Sequence, residues 1–112
     1  MPIIDAASLY GNLNLLILRT LESGPMHGLG IGRRIRAASE DVLQVEEGAL
    51  YPALHRLERD GYLRADWGVS ESNRRAKFYE LTQTGRAMLE REIENWERHT
   101  AAVAKVLDSA GV

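Results

Sequence analysis

In Gly48-Ala49-Leu50-Tyr51-Pro52-Ala53-Leu54-His55-Arg56-Leu57-Glu58, leucines recur at 50, 54 and 57. These are the three- and four-residue steps of a helix with one apolar stripe. Asp60-Gly61 supplies the stop, so the pattern predicts a helix over Glu47–Asp60. With the leucines turned inward, the opposite side carries Gly48, Pro52, His55 and Arg59, flanked by Tyr51 and Arg56. Two small residues let such a face approach another surface closely. The imidazole and guanidinium groups can then reach base edges or phosphates in a major groove. A solvated helix face that is simply basic is the competing reading. Pro52 clashes with the carbonyl four residues back, which belongs to Gly48, the residue whose backbone adjusts most freely. The two form one compensated feature, or else a distorted first turn without functional meaning.

Two more helices precede this one. Asn12–Glu22 places Leu13, Leu16, Ile17, Thr20 and Leu21 at helical spacing and ends at Gly24-Pro25. His27–Ala38 carries Ile31 and Ile35 on one side and Arg33, Arg34 and Arg36 elsewhere, with three glycines that weaken it. Val42–Val45 is a short extended link. After the third helix, Leu63, Ala65, Trp67 and Val69 alternate with polar or small residues, and Ala76–Leu81 follows a polar turn at Ser70–Asn73. This predicts a β-hairpin with Trp67 in the core at its base. A long helix then runs from Gln83 to Leu107. Leu89, Ile93, Trp96, Thr100, Val103 and Leu107 step along it by fours and threes, a heptad seam that needs a partner. The first helix and a second copy of the long helix are the candidates.

Three helices, a hairpin and a long helix make a mainly α chain with the layout of a winged helix-turn-helix. Residues 1–82 would be the DNA-binding part and residues 83–112 a dimerisation helix, within one compact unit. At 112 residues the chain fits a single domain. It has no cysteine, which excludes disulfides, thiolate metal sites and a cysteine nucleophile. His27, His55 and His99 are too far apart for metal-ligand spacing. No stretch is long enough to span a membrane or form the core of a signal peptide, so the expected compartment is the cytoplasm.

The net charge of −2 excludes a uniformly basic surface but not a basic face. Residues 27–36 hold three arginines and no acid, and residues 55–77 hold six bases against four acids, whereas residues 80–97 hold five acids against two bases. Twelve of the fourteen bases are arginine, the side chain suited to phosphate and guanine. Arg74, Arg75 and Lys77, at or beyond the hairpin tip, can track a phosphate backbone or enter a minor groove. Lys77 shares a strand face with Tyr79 and Leu81, so its stem is expected to lie on the core. Arg33, Arg34 and Arg36 are candidate backbone contacts from the second helix. Gly28-x-Gly30-x-Gly32 does not read as a phosphate loop: no strand is expected before it, no Lys-Ser/Thr follows it, and a nucleotide fold would not fit this length. These glycines fit close helix packing instead.

The stretch Gly48–Glu58 resembles the Gly-x-Leu-Tyr-Pro-x-Leu-x-x-Leu-Glu signature of the PadR family of transcriptional regulators. Pro25-Met26-His27-Gly28 is similar to the family's turn into its second helix. Arg74-Arg75-Ala76-Lys77-Phe78-Tyr79-Glu80-Leu81-Thr82 is similar to its wing strand, and Thr84-Gly85-Arg86 to the entry into its last helix. The resemblance runs through residues 13–107. It implies a homodimeric winged-helix repressor on inverted-repeat operators, which in several members leaves DNA when a small aromatic ligand binds. By matching positions, it implies that Tyr51 contacts a phosphate and that Arg74, Arg75 and Lys77 reach the DNA backbone or minor groove. In multidrug-binding members an aromatic of the last helix lines a pore at the dimer centre. Trp96 matches that position, and the alternative is a packed interface tryptophan. Tyr10 is a second possible ligand contact.

This chain departs from the family in having Glu46-Glu47 before Gly48, where many members have a small hydroxyl residue and often proline. Acids there favour the helix dipole, by up to about 1 kcal/mol, and repel nearby phosphates. Glu47 either stabilises the helix only or also accepts a hydrogen bond from cytosine. Besides a repressor, a ligand sensor and a DNA-free interaction module fit the sequence. An enzyme fits least, since no catalytic grouping, metal cluster or cofactor loop can be placed.

Overall fold

A computed structural model describes residues 9–109. In chain order it has α1 (Leu13–Thr20), a short 3-10 turn (Leu21–Ser23), β1 (Met26–His27), α2 (Gly28–Ala38), α3 (Glu47–Arg59), β2 (Leu63–Val69), β3 (Arg75–Leu81) and α4 (Gln83–Asp108). The sheet is antiparallel with β3 central, in the order β1-β3-β2. Strands β2 and β3 form the hairpin that the alternation predicts. His27, expected inside the second helix, instead pairs with Phe78, and Met26 with Tyr79, as a third strand, so a strand does directly precede the glycines of α2, although no Lys-Ser/Thr follows them.

The core joins the inward faces of α1, α2 and α3 to one end of the sheet. Ile17, Leu18, Leu21, Ile31, Leu50, Ala53 and Leu54 are all but sealed from solvent, and Tyr79 packs into the same cluster. The expected stripe on α3 is buried as Leu50, Leu54 and Leu57. Ala53 completes it, because its small side chain lets the helix settle onto its neighbours. Pro52 is accommodated within thirteen continuous residues of helix. At the far end Gly61 takes a φ of 85°, and the Tyr62 and Gly61 amides donate to the Leu57 and Glu58 carbonyls. These two bonds satisfy carbonyls that the helix end leaves open.

The wing is joined to α4 through a tight corner. Thr82 Oγ1 accepts from the Gly85 amide at 2.9 Å and donates to the Gly61 carbonyl at 2.7 Å. A Cβ on Gly85 would sit 2.1 Å from the Tyr62 carbonyl oxygen, so only glycine fits there. Beyond the corner, Leu89 is 2% exposed within the chain's own core, and Ile93 packs against that core. Both seam positions are therefore filled from inside the chain, and the bare part of the stripe begins at Trp96. No helix among the described residues is long and apolar enough to cross a membrane.

Candidate nucleic-acid interface

Helices α2 and α3 and the wing enclose an open cleft of about 620 Å³, lined by His27, Gly28, Arg33 and Tyr51 on the helical side and by Trp67, Glu71, Arg74, Arg75 and Lys77 on the wing. Tyr51 is held there by Gly28. The ring lies so close that a Cβ on Gly28 would be 2.5 Å from Tyr51 Cε1. Burial, and then the negative charge of Glu47, push the Tyr51 phenol above its ordinary value. The group therefore remains a neutral hydroxyl, able to donate, throughout the physiological pH range. The glycines of α2 serve packing in part: beside the Gly28–Tyr51 contact, a Cβ on Gly30 would crowd the Met26 side chain at 3.0 Å, while one on Gly32 would make only an ordinary contact with Leu50 at 3.4 Å.

The basic residues divide into committed and uncommitted groups. Lys77 Nζ donates to Glu58 Oε1 at 2.8 Å, which joins the wing to α3 and raises the lysine pKa. Arg36 pairs with Asp41 at 3.1 Å and Arg59 with Asp60 at 3.2 Å. Arg33, Arg34, Arg56, Arg74 and Arg75 make no ion pair among the described residues. The Arg75 guanidinium lies 4.6 Å over the Trp67 ring. Trp67 is 62% exposed, so it is not wing-base core as the alternation suggested. Strands β2 and β3 run past the helical layer. Leu63 and Leu81 lie over the core, while Trp67 and Val69, on the same face of the sheet, project beyond it.

The exposed face of α3 presents Gly48, Pro52, His55, Arg56 and Arg59, as its periodicity predicts. Its flanks face different surroundings. Tyr51 turns to the wing cleft, while Gly48, Pro52 and Arg56 line a second cleft with Tyr10, Asn14 and Glu92. Arg34 is apart from both, beside Arg19 and Thr20 at the end of α1. Tyr10 has a contact that the sequence did not signal: its hydroxyl accepts from the Glu46 amide, at the entry to α3, at 3.4 Å.

Two residues of the cleft, His27 and Glu71, carry no functional signal in the sequence. His27 caps α2, its Nδ1 accepting from the Gly30 amide at 3.1 Å, with its ring edge against Phe78. Glu71 extends from the wing tip, and its carboxylate lies 3.4 Å from His27 Nε2. A hydrogen bond with its own backbone, and then the one with His27, hold this carboxyl below its ordinary value. A histidine cap has no strong sequence signal, because serine, threonine, aspartate and asparagine dominate that position.

The arrangement of α2, α3 and wing, with arginines and a tyrosine hydroxyl around one cleft, has counterparts among known proteins. Residues 17–91 match the transcriptional regulator PadR-like family. The chain belongs to that family. A transcriptional regulator from Mycobacterium tuberculosis is 32% identical to it over 99 residues, covering 80% of this chain and 89% of that one. A transcriptional regulator from Clostridium thermocellum has a similar structure, with a TM-score of 0.82 at 28% identity over 92% of this chain and 97% of that one. A PadR family transcription regulator from Clostridium difficile gives 0.75 at 27% identity over 87% of this chain and 99% of the other. This PadR-like chain is thus a DNA-binding transcriptional regulator, of a family whose members are not enzymes.

Proposed function

We propose that the chain is a homodimeric repressor that binds an inverted-repeat operator. In this reading α3 enters the major groove and presents His55, Arg56 and Arg59, with Gly48 and Pro52 permitting close approach. Tyr51, Arg33, Arg74 and Arg75 contact phosphates around the wing, with Lys77 as a lesser contributor there and Arg34 and Arg36 as lesser backbone contacts from α2 outside the wing cleft. The observation that carries this reading is the convergence of the Tyr51 hydroxyl and uncommitted arginines from two different elements on one cleft. Residues 1–82 would act as the DNA-binding part, and the helix from residue 83 onward as the dimerisation element, in the cytoplasm. Trp96, Thr100, Val103 and Leu107 would form the seam between copies, starting where Leu89 and Ile93 end their packing within the chain. Of these, Trp96 is 45% exposed and Leu107 75%. Two copies related by a twofold axis would read half-sites one or two helical turns apart.

The test is binding of the purified protein to the DNA upstream of its own gene, against a scrambled duplex, at two salt concentrations. A dimer making about eight phosphate contacts loses roughly 10³–10⁵ in affinity between 50 and 200 mM salt. Preference for the native duplex at the higher salt, with that slope, is the expected result. Equal or absent binding to both duplexes would overturn the reading.

A second reading adds release by a flat aromatic ligand held between copies, and the exposed Trp96 indole favours it. Planar hydrophobic dyes would then quench Trp96 fluorescence. Unchanged dye affinity in a Trp96→Ala protein that is still dimeric refutes it.

A further inference from the structure

The cleft between the wing and α2 already holds an anion, and it is the chain's own. The Glu71 side chain is 74% exposed, yet its carboxylate turns back from the wing tip onto His27. The histidine is 8% exposed, and its tautomer is set by its surroundings. Because Nδ1 accepts from the Gly30 amide, the proton is on Nε2 and is directed into the cleft. Arg33 lines the same cleft, and its charge acts on the Glu71 carboxylate. A fixed donor on a buried ring, in a cleft that an arginine without an ion-pair partner also lines, is suited to an anion that approaches from outside.

We propose that the Glu71 carboxylate occupies the place of a DNA phosphate: His27 Nε2–H and Arg33 form a phosphate site that Glu71 fills in the free protein and vacates on DNA. This inference rests on the DNA-binding reading above. Glu71 is easily displaced, because a pair with one exposed partner and a 3.4 Å separation is weak. A phosphate offers shorter, stronger charge-assisted bonds to the same donors. Leaving Glu71 in place beside a phosphate would set two anions against each other. The wing tip therefore has to open before the cleft can close on a DNA strand, and Glu71 lowers affinity for any sequence alike.

The experiment compares wild type, Glu71→Ala, His27→Asn and the double variant on a random-sequence duplex and on the upstream fragment. Asparagine retains a good helix-cap acceptor and lacks the Nε2–H. Glu71→Ala should tighten binding to both duplexes by about two- to fivefold, the size of an exposed ion pair. In the His27→Asn background, where the carboxylate is no longer held in the cleft, the gain should vanish. Circular dichroism and thermal unfolding confirm folding. If His27→Asn does not fold, Arg33→Gln, at an exposed position, serves as the background and should reduce the gain. Equal or weaker binding by Glu71→Ala would mean that the contact orders the wing, and would overturn the proposal. The same gain in both backgrounds would overturn the His27 site. Failure of the wild type to bind either duplex would instead remove the DNA-binding reading itself.

Discussion

Gly28→Ala should separate DNA binding from folding. The added Cβ would lie 2.5 Å from Tyr51 Cε1, 2.9 Å from Cζ and 3.0 Å from the hydroxyl oxygen. Ordinary carbon contacts are about 3.5–4 Å, so the ring has to retreat by about 1 Å. Every atom in the way is side chain, and the ring borders an open cleft, so the phenol moves and the backbone does not. The substitution also favours the helix, by up to about 1 kcal/mol and less at its first residue. The melting temperature should therefore stay within a few degrees of wild type. The Tyr51 hydroxyl, however, is moved off any phosphate it contacts. A hydrogen bond to a charged acceptor contributes about 1.5–3 kcal/mol, which is roughly ten- to a hundredfold in affinity per half-site. Fluorescence anisotropy with the labelled upstream fragment measures this, with Tyr51→Phe as the comparison. Once the hydroxyl is gone there is little left to lose, so the two substitutions should not be additive. Wild-type affinity in Gly28→Ala, or fully additive losses, would refute the reasoning. So would a loss of affinity accompanied by a large drop in melting temperature, because the fold would then have absorbed the clash.

Gly85→Ala should do the reverse: its Cβ would meet the Tyr62 carbonyl at 2.1 Å, which only a backbone shift relieves. We expect a destabilisation of about 2–3 kcal/mol, or roughly 10 °C in thermal unfolding, and an unchanged melting curve would contradict the packing described for this corner. Trp67→Ala removes a 62%-exposed ring and its contact with Arg75, so stability should change by no more than about 1 kcal/mol. It also frees the Arg75 guanidinium from the surface that positions it, and should weaken DNA binding about two- to fivefold. The same loss in an Arg75→Ala background would show that the two residues act separately. Val103→Glu combined with Leu107→Glu places charge in the exposed stripe of α4 and should yield a folded monomer by analytical ultracentrifugation. A dimer that survives both changes would move the subunit contact elsewhere.

Much of this was legible in the sequence, for identifiable reasons. The leucine stripe and the stop at Asp60-Gly61 defined α3 nearly to the residue, because a long, strongly periodic segment leaves few alternatives. Strand β1 was not legible, since two residues carry no period, and His27 was drawn into the following helix. Alternation correctly placed Trp67 on the same sheet face as Leu63, but it cannot show where the helical layer beneath that face ends. The seam on α4 was visible as a stripe, although periodicity does not tell a partner within the chain from one outside it. Leu89 belongs to the first kind. The charge pattern identified the basic segments but not their pairing. Lys77 is joined to Glu58, nineteen positions away, and Glu71 to His27, forty-four away. Such contacts exist only once the wing folds back over the helices.

The corner at Gly85 has a mechanical consequence. Thr82 bridges it on both sides and the Tyr62 carbonyl fills the remaining space, so α4 leaves the helix-and-wing part as a rigid arm without a hinge at its root. At 1.5 Å per residue its 26 residues extend about 39 Å. A rotation of only 5° about that root carries the far end through roughly 3 Å. If two such arms are joined, the distance between their α3 helices depends on one angle, the crossing angle of the arms. In the proposed dimer, an effector would have no need to deform the reading head. A slight change in how the arms cross would put the two heads out of step with successive turns of the DNA.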